Sequence, residues 1–358
     1  MKKPIIGYDA FAFRMQVYGG ITTMFESILT NLTSVEAIIV EEIPQSWQKR
    51  LSFIHVEKHS WLKAFSERIL RRIGVQFSQR NVDIVHLTYY KKMSTLTSKV
   101  KPLAITVCDF IPERFPDQFT TNPHLDKIEL IKEADLVFCI SQSTAEDLSE
   151  FVPDYRGKIV VTPLASKFPL NILDAKNDID ELGLSMPYLL YVGRRDRYKN
   201  TDIILKFLRM QSKFELVLFG GEALSSEEEF LLGEDGINRT FCVNGDDSLL
   251  QQLYVGANCL VFPSLWEGFG LPILEALSLG CPVVCSEIKV FRELFGDAVI
   301  YFEPTSIDSL IEAHTSLNAH YHQRIIKQEI GYQVNKSYSW SKTAQITQEA
   351  YLDLLKNR

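Results

Sequence analysis

The chain has 358 residues, of which 46% are hydrophobic and 23% are charged, and its formal net charge is −7. The length predicts two domains, and the composition is that of a folded globular protein rather than a disordered chain. An acidic chain without a run of about 18 apolar residues is expected neither to bind nucleic acid nor to cross a membrane.

The N-terminal residues and the cysteines both favour a cytoplasmic protein. Asp9 interrupts the short apolar stretch that follows Lys3, so a secretory signal peptide is not expected. The 6 cysteines lie mostly in apolar, strand-like runs, and Cys281 and Cys285 lack the CxxC spacing of a zinc or redox site. We therefore expect buried thiols in a reducing compartment.

Short β-branched runs alternate with helix-length segments along the chain, which is the pattern of parallel sheets covered by helices. Residues 166–186 show no clear period, so they are predicted to link an N-terminal domain of residues 1–165 to a C-terminal domain of residues 187–339. Each domain is expected to be a doubly wound α/β sheet. The predicted strands are Ile5–Asp9, Asp83–Leu87, Leu103–Asp109, Leu136–Ser141 and Ile159–Leu164 in the first domain, and Tyr188–Gly193, Glu215–Gly221, Cys259–Ser264, Pro282–Ser286 and Ala298–Phe302 in the second.

The first predicted strand leads to Gly19 and Gly20, and then to a helix with apolar residues at positions 21, 24, 25, 28, 29 and 32. A glycine pair before a helix lets a ligand approach the backbone closely, and a helix start favours anions. Many such turns carry glycine for steric reasons alone. A ligand-binding role and a purely structural role both stay open.

A basic segment follows, since residues 49–101 contain 12 Lys and Arg but only 3 Asp and Glu. Within it, Trp61 to Phe77 predicts an amphipathic helix whose polar face and border carry Lys63, Arg68, Arg71 and Arg72. One interpretation is that this helix packs on the sheet of its domain. The other is that it binds anionic lipid reversibly, to which each basic residue would contribute about 1 kcal/mol.

A second basic cluster follows the first predicted strand of the C-terminal domain. It contains Arg194, Arg195, Arg197 and Lys199 within a short turn. Such cations at a strand end could neutralise a diphosphate, Arg through its planar fork and Lys as a point charge. The alternative is an ordinary solvated turn.

The densest signal is the run from Pro263 to Gly280, with the sequence PSLWEGFGLPILEALSLG. Pro272 fits the first turn of a helix, and Gly280 fits its C-terminal end. The N–H groups of such a helix start suit a diphosphate beyond the carboxyl end of a parallel strand. Glu267 is then placed for a sugar and Glu275, expected in the first helical turn, for a ribose. The alternative is that Glu267 caps the helix and Glu275 interacts with its dipole.

The last segment of the chain predicts another amphipathic helix, which Ser339 or Ser341 would cap. Its apolar stripe must be buried against another part of the protein. The residues of this stripe are Trp340, Ala344, Thr347, Tyr351, Leu354 and Leu355.

Taken together, these motifs resemble glycosyltransferase family 4 over nearly the whole chain, and in particular bacterial mannosyl- and rhamnosyltransferases of O-antigen, capsule and exopolysaccharide assembly. The resemblance implies the GT-B fold, with two Rossmann-like domains facing across a cleft and the helix of residues 340–358 crossing back onto the first domain. It also implies transfer of a hexose from a nucleotide-sugar with retention at the anomeric carbon. The segments that carry it, in the family's order, are Gly19-Gly20, Asp109–Pro116, Ile140-Ser141, Gly193–Asn200, Glu267–Glu275 and Ser339-Trp340.

The resemblance further implies roles for individual residues. Arg194 and Lys199 would hold the diphosphate, with Arg195 sharing or replacing the role of Arg194. Glu267 would contact the donor sugar and Glu275 the ribose. Asp109 joins Arg194, Lys199 and Glu267 as a predicted catalytic residue. Gly220 and Val243 would border the base. The other predicted substrate contacts are Gly19, Gly20, His86, Cys108, Gly268, Phe269, Gly270 and Leu271.

One departure from the family concerns the sugar. Relatives usually have His-Asp where this chain has Cys108-Asp109. A thiol is a weaker hydrogen-bond donor than an imidazole, which leaves the identity of the donor sugar open. GDP-mannose is expected from family frequency alone, and the base, hexose, acceptor, linkage and oligomeric state are not fixed by the sequence.

The expected reaction needs neither a metal nor a cofactor, because fixed cations and a helix start would stabilise the leaving diphosphate. The expected partners are a nucleotide-sugar, a saccharide or lipid-linked acceptor, and the anionic inner face of the cytoplasmic membrane. A metal-dependent glycosyltransferase would use an Asp-x-Asp motif, for which Asp178 and Asp180 are the nearest candidates. A glycosidase would use two carboxylates such as Asp109 and Glu267 and leave the basic cluster unused. A catalytically silent nucleotide-sugar-binding or scaffold protein is the remaining alternative.

Overall fold

The computed structural model describes residues 2–15, 19–39, 43–52, 54–56, 82–91, 102–168, 182–319 and 321–357. The chain divides into two compact units. The first comprises Met1–Leu164 and Trp340–Arg358, and the second comprises Ala165–Ser339. Each unit is built around a parallel sheet.

The first unit contains strands β1 (Ile5–Tyr8), β2 (Glu36–Ile39), β3 (His55–Val56), β4 (Ile84–Leu87), β5 (Leu103–Val107), β6 (Leu136–Cys139) and β7 (Lys158–Val161). They form a 7-stranded sheet in the order β3-β2-β1-β4-β5-β6-β7. The order reverses between β1 and β4, whose register pairs Ile6 with Ile84. Among the described residues of this unit, the helices are Phe11–Met15, Gly20–Asn31, Gln45–Arg50, Ile111–Arg114, Lys127–Glu133, Gln142–Phe151 and Trp340–Lys356, with a 3-10 turn at Pro116–Gln118.

The second unit contains strands β8 (Tyr188–Val192), β9 (Glu215–Phe219), β10 (Thr240–Val243), β11 (Cys259–Phe262), β12 (Val283–Ser286) and β13 (Ile300–Phe302). They form a 6-stranded sheet in the order β10-β9-β8-β11-β12-β13. The order reverses between β8 and β11, where Leu190 pairs with Leu260. The helices are Asp202–Met210, Ser226–Asn238, Asp247–Gly256, Leu271–Ser278, Lys289–Phe295, Ile307–Ala319 and Tyr321–Lys336, with 3-10 turns at Arg197–Lys199 and Gly296–Ala298.

The central strands are apolar along their whole length. β5 reads LAITV and β8 reads YLLYV, and every residue of both strands is buried. Continuous apolar runs of this kind are typical of parallel strands that helices cover on both faces. In β10, at an edge of the second sheet, only Val243 is buried, and the strand lacks such a run. This explains why the sequence did not reveal it.

The C-terminal helix, Trp340–Lys356, belongs to the first unit and packs against the Gly20–Asn31 helix. Tyr351 is buried, and its hydroxyl lies 2.9 Å from the hydroxyl of Tyr8 in β1. Gln348 Oε1 accepts hydrogen bonds from the backbone N–H groups of residues 33 and 34, at 3.0 and 2.8 Å. The central part of the predicted apolar stripe is therefore buried against the first sheet and its helices.

The predicted fold class, two doubly wound parallel α/β sheets, is confirmed. Each predicted strand forms with bounds that differ by one to a few residues; most are shorter, and β7 begins one residue earlier than predicted, at Lys158. The strands β2, β3 and β10 were missed. The predicted amphipathic helix from Trp61 to Phe77, the Asp178-Asp180 pair and most of the linker lie outside the described residues. Among the helices that the structure describes, none combines the length and apolarity needed to cross a bilayer.

Candidate active site

The strand order of the second unit brings two turns together. β8 and β11 are neighbours at the point where the order reverses, so the turns after them leave the same edge of the sheet. The backbone N–H of Leu265 donates to the carbonyl of Tyr198, at 2.8 Å. Asn200, in the left-handed conformation with φ 55°, donates from Nδ2 to the carbonyls of Pro263 and Pro304, at 3.2 and 2.8 Å. These bonds fix the two turns against each other.

Lys199 and Glu267 meet where the two turns join. Lys199 Nζ lies 2.6 Å from Glu267 Oε1, and the Ser264 hydroxyl donates to the same oxygen at 2.7 Å. The two side chains are 17% and 10% exposed, so the pair is largely removed from water but still reachable. Both contacts use Oε1 of Glu267.

The helix after this turn begins as predicted. Gly270 is its N-cap, with φ 103°, and a Cβ added there would lie 2.8 Å from the Phe291 ring. Pro272 lies in the first turn, and Gly280, with φ 70°, follows the last turn. Gly270, as the N-cap residue, has no side chain with which to cap the helix. The sugar-binding and helix-capping interpretations of Glu267 both remain predictions.

Glu275 is the fifth residue of the Leu271–Ser278 helix, so its expected place in the first turn is wrong by about one position. Only 8% of the residue is exposed, and its Oε2 accepts a hydrogen bond from the Tyr254 hydroxyl at 3.1 Å. Burial raises the pKa of the Glu275 carboxyl to about 7, while Lys167 and Tyr254 act in the opposite direction. The carboxylate is thus held by a buried tyrosine.

The remaining predicted residues of the helix start are Gly268, Phe269 and Leu271. Phe269 is buried, and its ring lies edge-on to the Tyr338 ring at 5.8 Å. Leu271 opens the helix directly after Gly270. The phenyl ring therefore anchors the turn in the unit.

Arg194 and Arg195 have different surroundings. The Arg194 side chain is 81% exposed and pairs with Asp196 at 3.1 Å. The Arg195 side chain is 7% exposed, and its Nε donates to Glu228 at 2.6 Å. Its Nη2 donates to the carbonyls of residues 222 and 223, at 2.7 and 2.9 Å. Arg195 therefore holds the turn after β9 in place, and Arg194 is the arginine that solvent and ligands can reach.

Gly220 directly follows β9, and Val243 is the last residue of β10. The Gly220 N–H donates to the Val243 carbonyl, and the Gly193 N–H donates to the Phe219 carbonyl, each at 2.9 Å. Gly220 has φ 89°, a conformation that favours glycine. The ends of β8, β9 and β10 thus lie side by side, next to the turn that Arg195 holds.

In the first unit, Cys108 and Asp109 follow β5. The Cys108 N–H donates to the Tyr90 hydroxyl at 2.7 Å, and burial raises the pKa of the thiol to about 12. Asp109 Oδ1 accepts from the backbone N–H of Ile111 at 2.9 Å, and Lys127 Nζ donates to the Asp109 carbonyl at 2.9 Å. Hydrogen bonds with Tyr90, Ile111 and Lys127 therefore hold this turn in place.

His86 is a core residue rather than a substrate contact. It is 1% exposed, with Nε2 2.9 Å from the Thr106 hydroxyl and Nδ1 hydrogen-bonded to the Tyr351 hydroxyl. Its ring stacks between those of Tyr8 and Phe138, and burial lowers its pKa to about 3. Both ring nitrogens are occupied, so we remove His86 from the candidate site.

The glycine pair Gly19-Gly20 lies at the start of the Gly20–Asn31 helix. Gly19 is the N-cap, with an extended φ of 169°, and its carbonyl accepts from the N–H of Thr23 at 3.0 Å. An extended backbone is open to any residue, so conformation alone does not require glycine here. The ligand-binding and structural interpretations of this pair both remain predictions.

Sequence analysis missed three residues that support the site. Ser264 bonds Glu267, Tyr254 bonds Glu275, and Lys127 bonds the Asp109 backbone. Ser264 directly follows β11, which is a signal that strand-end reasoning could have used. Within the described ranges, no group of three or more His, Cys, Asp and Glu side chains is placed to hold a metal ion.

A family profile and several curated relatives match this chain. The profile described as Glycosyl transferases group 1 matches residues 174–329. O-antigen chain mannosyltransferase B of Escherichia coli is 28% identical over 253 residues, covering 67% of this chain and 66% of the relative. O-antigen chain mannosyltransferase RfbU of Salmonella typhimurium is 25% identical over 305 residues, covering 78% and 81%. Of several other curated relatives, the chain spans about a quarter to a half.

A solved structure shares the fold of both units. HepE of Anabaena, in complex with UDP and glucose, has a TM-score of 0.74 to this chain at 17% identity. The match covers 98% of this chain and 99% of that one, and it supports the two-domain GT-B fold. The profile includes the turns of Lys199 and Glu267 and the helix of Glu275. Residues 174–329 therefore match the group 1 glycosyltransferase profile, and the chain has the GT-B fold and a likeness to glycosyltransferase family 4.

Proposed function

We propose that the protein transfers a hexose, with retention at the anomeric carbon, from a nucleotide-sugar to a saccharide or lipid-linked acceptor in surface polysaccharide assembly. The observation that carries this proposal is the contact of Lys199 with Glu267 beside the helix that starts at Leu271. GDP-mannose is the proposed donor, because the two relatives named above are O-antigen mannosyltransferases. We place the reaction in the cytoplasm.

The second unit supplies the proposed donor site. Glu275 would accept from the ribose hydroxyls, and Glu267 Oε2 from a sugar hydroxyl. Gly220 and Val243 would border the base. Lys199 and the exposed Arg194 would neutralise the diphosphate, together with backbone N–H groups of the turn that ends at Gly270. Asp109 and Cys108 stay predicted contacts of the first unit.

In the proposed reaction, the bond between the anomeric carbon and the leaving phosphate oxygen breaks while the bond to the acceptor oxygen forms on the same face of the sugar. The acceptor hydroxyl gives its proton to the leaving diphosphate. Negative charge grows on the diphosphate as its bond breaks, and Lys199 stabilises this charge more in the transition state than in the ground state. The pairing with Glu267 keeps the ammonium group in place before the donor arrives.

We propose that the reaction needs no metal ion or cofactor. Lys199, Arg194 and the helix start together offer the positive charge that a divalent cation supplies at other diphosphate sites. Turnover in excess chelator tests this directly. Undiminished rates support the proposal, and complete loss that magnesium or manganese restores would contradict it.

The purified protein, incubated with GDP-mannose and a lipid-linked acceptor, tests the proposal as a whole. We expect release of GDP and a product whose new glycosidic bond keeps the α configuration of the donor, read by NMR of the anomeric proton. UDP- and dTDP-sugars run in parallel identify another donor. Tight donor binding without turnover for any sugar would favour the silent binding protein, and an inverted anomeric configuration would contradict retention.

A further inference from the structure

Tyr254 lies in the core of the second unit, and its hydroxyl contacts the carboxylate of Glu275. It belongs to the Asp247–Gly256 helix, and it is 0% exposed. Its ring packs edge-on to the Phe168 ring at 6.2 Å, and its hydroxyl reaches Glu275 Oε2 at 3.1 Å. A buried tyrosine hydroxyl needs a hydrogen-bond partner. Here that partner is the residue proposed to bind the ribose.

Glu275 has few other ways to keep its carboxylate charged and oriented. In the described part of the chain it forms no ion pair, and Tyr254 is the side chain that donates to it. The Ser278 hydroxyl donates to the Glu275 backbone carbonyl at 2.7 Å, not to the carboxylate. A buried carboxylate without a donor is costly, so the single hydroxyl matters.

Two further charged groups act on Glu275. Lys167 favours the ionised carboxylate, and Asp247 opposes it. Lys167 Nζ is itself paired with Asp247 Oδ1 at 2.5 Å. The negative charge of Asp247 therefore offsets much of the effect of the Lys167 charge on Glu275. The neutral Asn335 amide donates to the backbone of the same helix, at the Leu274 carbonyl. The tyrosine hydroxyl is therefore the direct contact among these groups.

We infer that Tyr254 is a positioning residue of the donor site. Its hydroxyl binds Glu275 Oε2, so that the carboxylate stays charged and its other oxygen, Oε1, is oriented towards a ribose hydroxyl. This inference rests on the proposed function, in which Glu275 binds the ribose. A ribose hydroxyl donates to a carboxylate more strongly than to a protonated acid, since the charged acceptor makes the stronger bond. Tyr254 thereby sets both the geometry and the charge of the ribose contact.

The inference predicts a pH dependence of nucleotide binding. Burial raises the pKa of Glu275 to about 7, so the carboxyl is only partly ionised at neutral pH. A donated hydrogen bond favours the ionised form, so its removal raises this pKa further. Tyr254→Phe should therefore bind nucleotide weakly at neutral pH and recover affinity as the pH rises and Glu275 ionises.

The test measures the affinity for GDP, and for UDP in parallel, by calorimetry between about pH 6 and pH 9. Glu275→Gln serves as the reference because the terminal phosphate of the nucleotide also titrates, with a second pKa of about 6. Tyr188→Phe is the matched control, since the Tyr188 hydroxyl donates to the Leu253 carbonyl of the same Asp247–Gly256 helix, at 2.8 Å. Thermal unfolding of each variant checks the fold.

We expect Tyr254→Phe to bind GDP about tenfold more weakly than wild type at pH 7, the effect of losing one hydrogen bond to a charged group. This deficit should shrink towards pH 9, whereas Tyr188→Phe should match wild type throughout. If Tyr254→Phe is equally weak at every pH, its role is structural and the inference is wrong. If it binds like wild type while Glu275→Gln binds weakly, the inference is also wrong. If Glu275→Gln itself binds like wild type, the proposed ribose contact fails instead.

Discussion

Lys199 and Glu267 form a 2.6 Å contact although 68 positions separate them in the chain. The contact exists because β8 and β11 are neighbours in the sheet and because Asn200 ties the turn after β8 to the turn after β11. The ammonium group is thereby fixed next to a carboxylate, with its charge held at the edge where parallel sheets bind ligands. Preorganised charge of this kind stabilises a transition state without reorganisation during the reaction.

Glu275→Gln should change how stability depends on pH. The folded-state pKa of Glu275, about 7, lies above its ordinary value of 4.5. The folded protein thus holds this proton more tightly than the unfolded chain, so the stabilisation is complete below about pH 4.5 and is lost as the pH rises through 7. Glutamine does not titrate, so the variant should gain on wild type by on the order of 3 kcal/mol between those limits. Urea unfolding at several pH values measures this difference. A difference that stays constant with pH contradicts the prediction.

Lys127→Met should strongly destabilise the first unit. Lys127 is 0% exposed, and its Nζ lies 2.6 Å from Glu113 Oε2. The substitution leaves a nearly buried carboxylate without its partner, which typically costs about 3–5 kcal/mol. Lys127→Met combined with Glu113→Leu should recover most of this loss, because no lone charge remains. The exposed pair of Lys158 and Asp353 is the control, and Lys158→Met should cost far less, because solvent screens an exposed ion pair. Equal costs for the two single variants would refute the argument.

Cys108→His should fold and should change the order of donor preference. The thiol at the end of β5 is half-buried and stays protonated, since burial raises its pKa to about 12. An imidazole at this position would be a stronger hydrogen-bond partner for a sugar hydroxyl. Initial rates with a panel of nucleotide-sugars measure the preference, and Cys108→Ala separates loss of the thiol from gain of the ring. An unchanged ranking in both variants would show that this position does not read the sugar.

The segment from Trp61 to Phe77 should bind anionic vesicles and not neutral ones. Four basic residues near anionic lipid would contribute about 1 kcal/mol each, and salt should weaken the binding as screening increases. Replacing Lys63, Arg68, Arg71 and Arg72 with Ser should abolish sedimentation with phosphatidylserine vesicles and leave thermal unfolding unchanged. Equal retention of variant and wild type would exclude this segment as the anchor.

The strand-end motifs were predictable because their chemistry follows directly from local order. A strand followed by a glycine-containing turn and a helix start places Glu267 and Gly270 beyond the carboxyl end of the strand. The structure shows this arrangement between β11 and the Leu271–Ser278 helix. The sequence also placed Lys199 after another predicted strand, the first of the C-terminal domain. Its contact with Glu267 depends on which strands are neighbours, which a single sequence does not specify.

Other features depend on side-chain direction within a turn or core. Arg194 and Arg195 are consecutive in a segment without a helical or strand period, so the pattern could not tell which one is buried against Glu228. Tyr254 lies on the buried face of an amphipathic helix, where an aromatic residue ordinarily indicates packing. His86, a predicted substrate contact, lies in a central strand, and the C-terminal helix covers it through Tyr351.

The turnover of Lys199→Met, compared with that of Arg197→Met, tests the central claim most directly. Both residues lie in the same Arg197–Lys199 turn, but Arg197 is exposed and Lys199 contacts Glu267. We expect kcat of Lys199→Met to fall roughly a hundredfold or more, as when one preorganised donor to a developing charge is removed. Donor affinity should change less than kcat, and Arg197→Met should stay within about twofold of wild type, an effect under roughly 0.5 kcal/mol. A Lys199→Met enzyme that turns over donor as fast as Arg197→Met would contradict the assignment of this site.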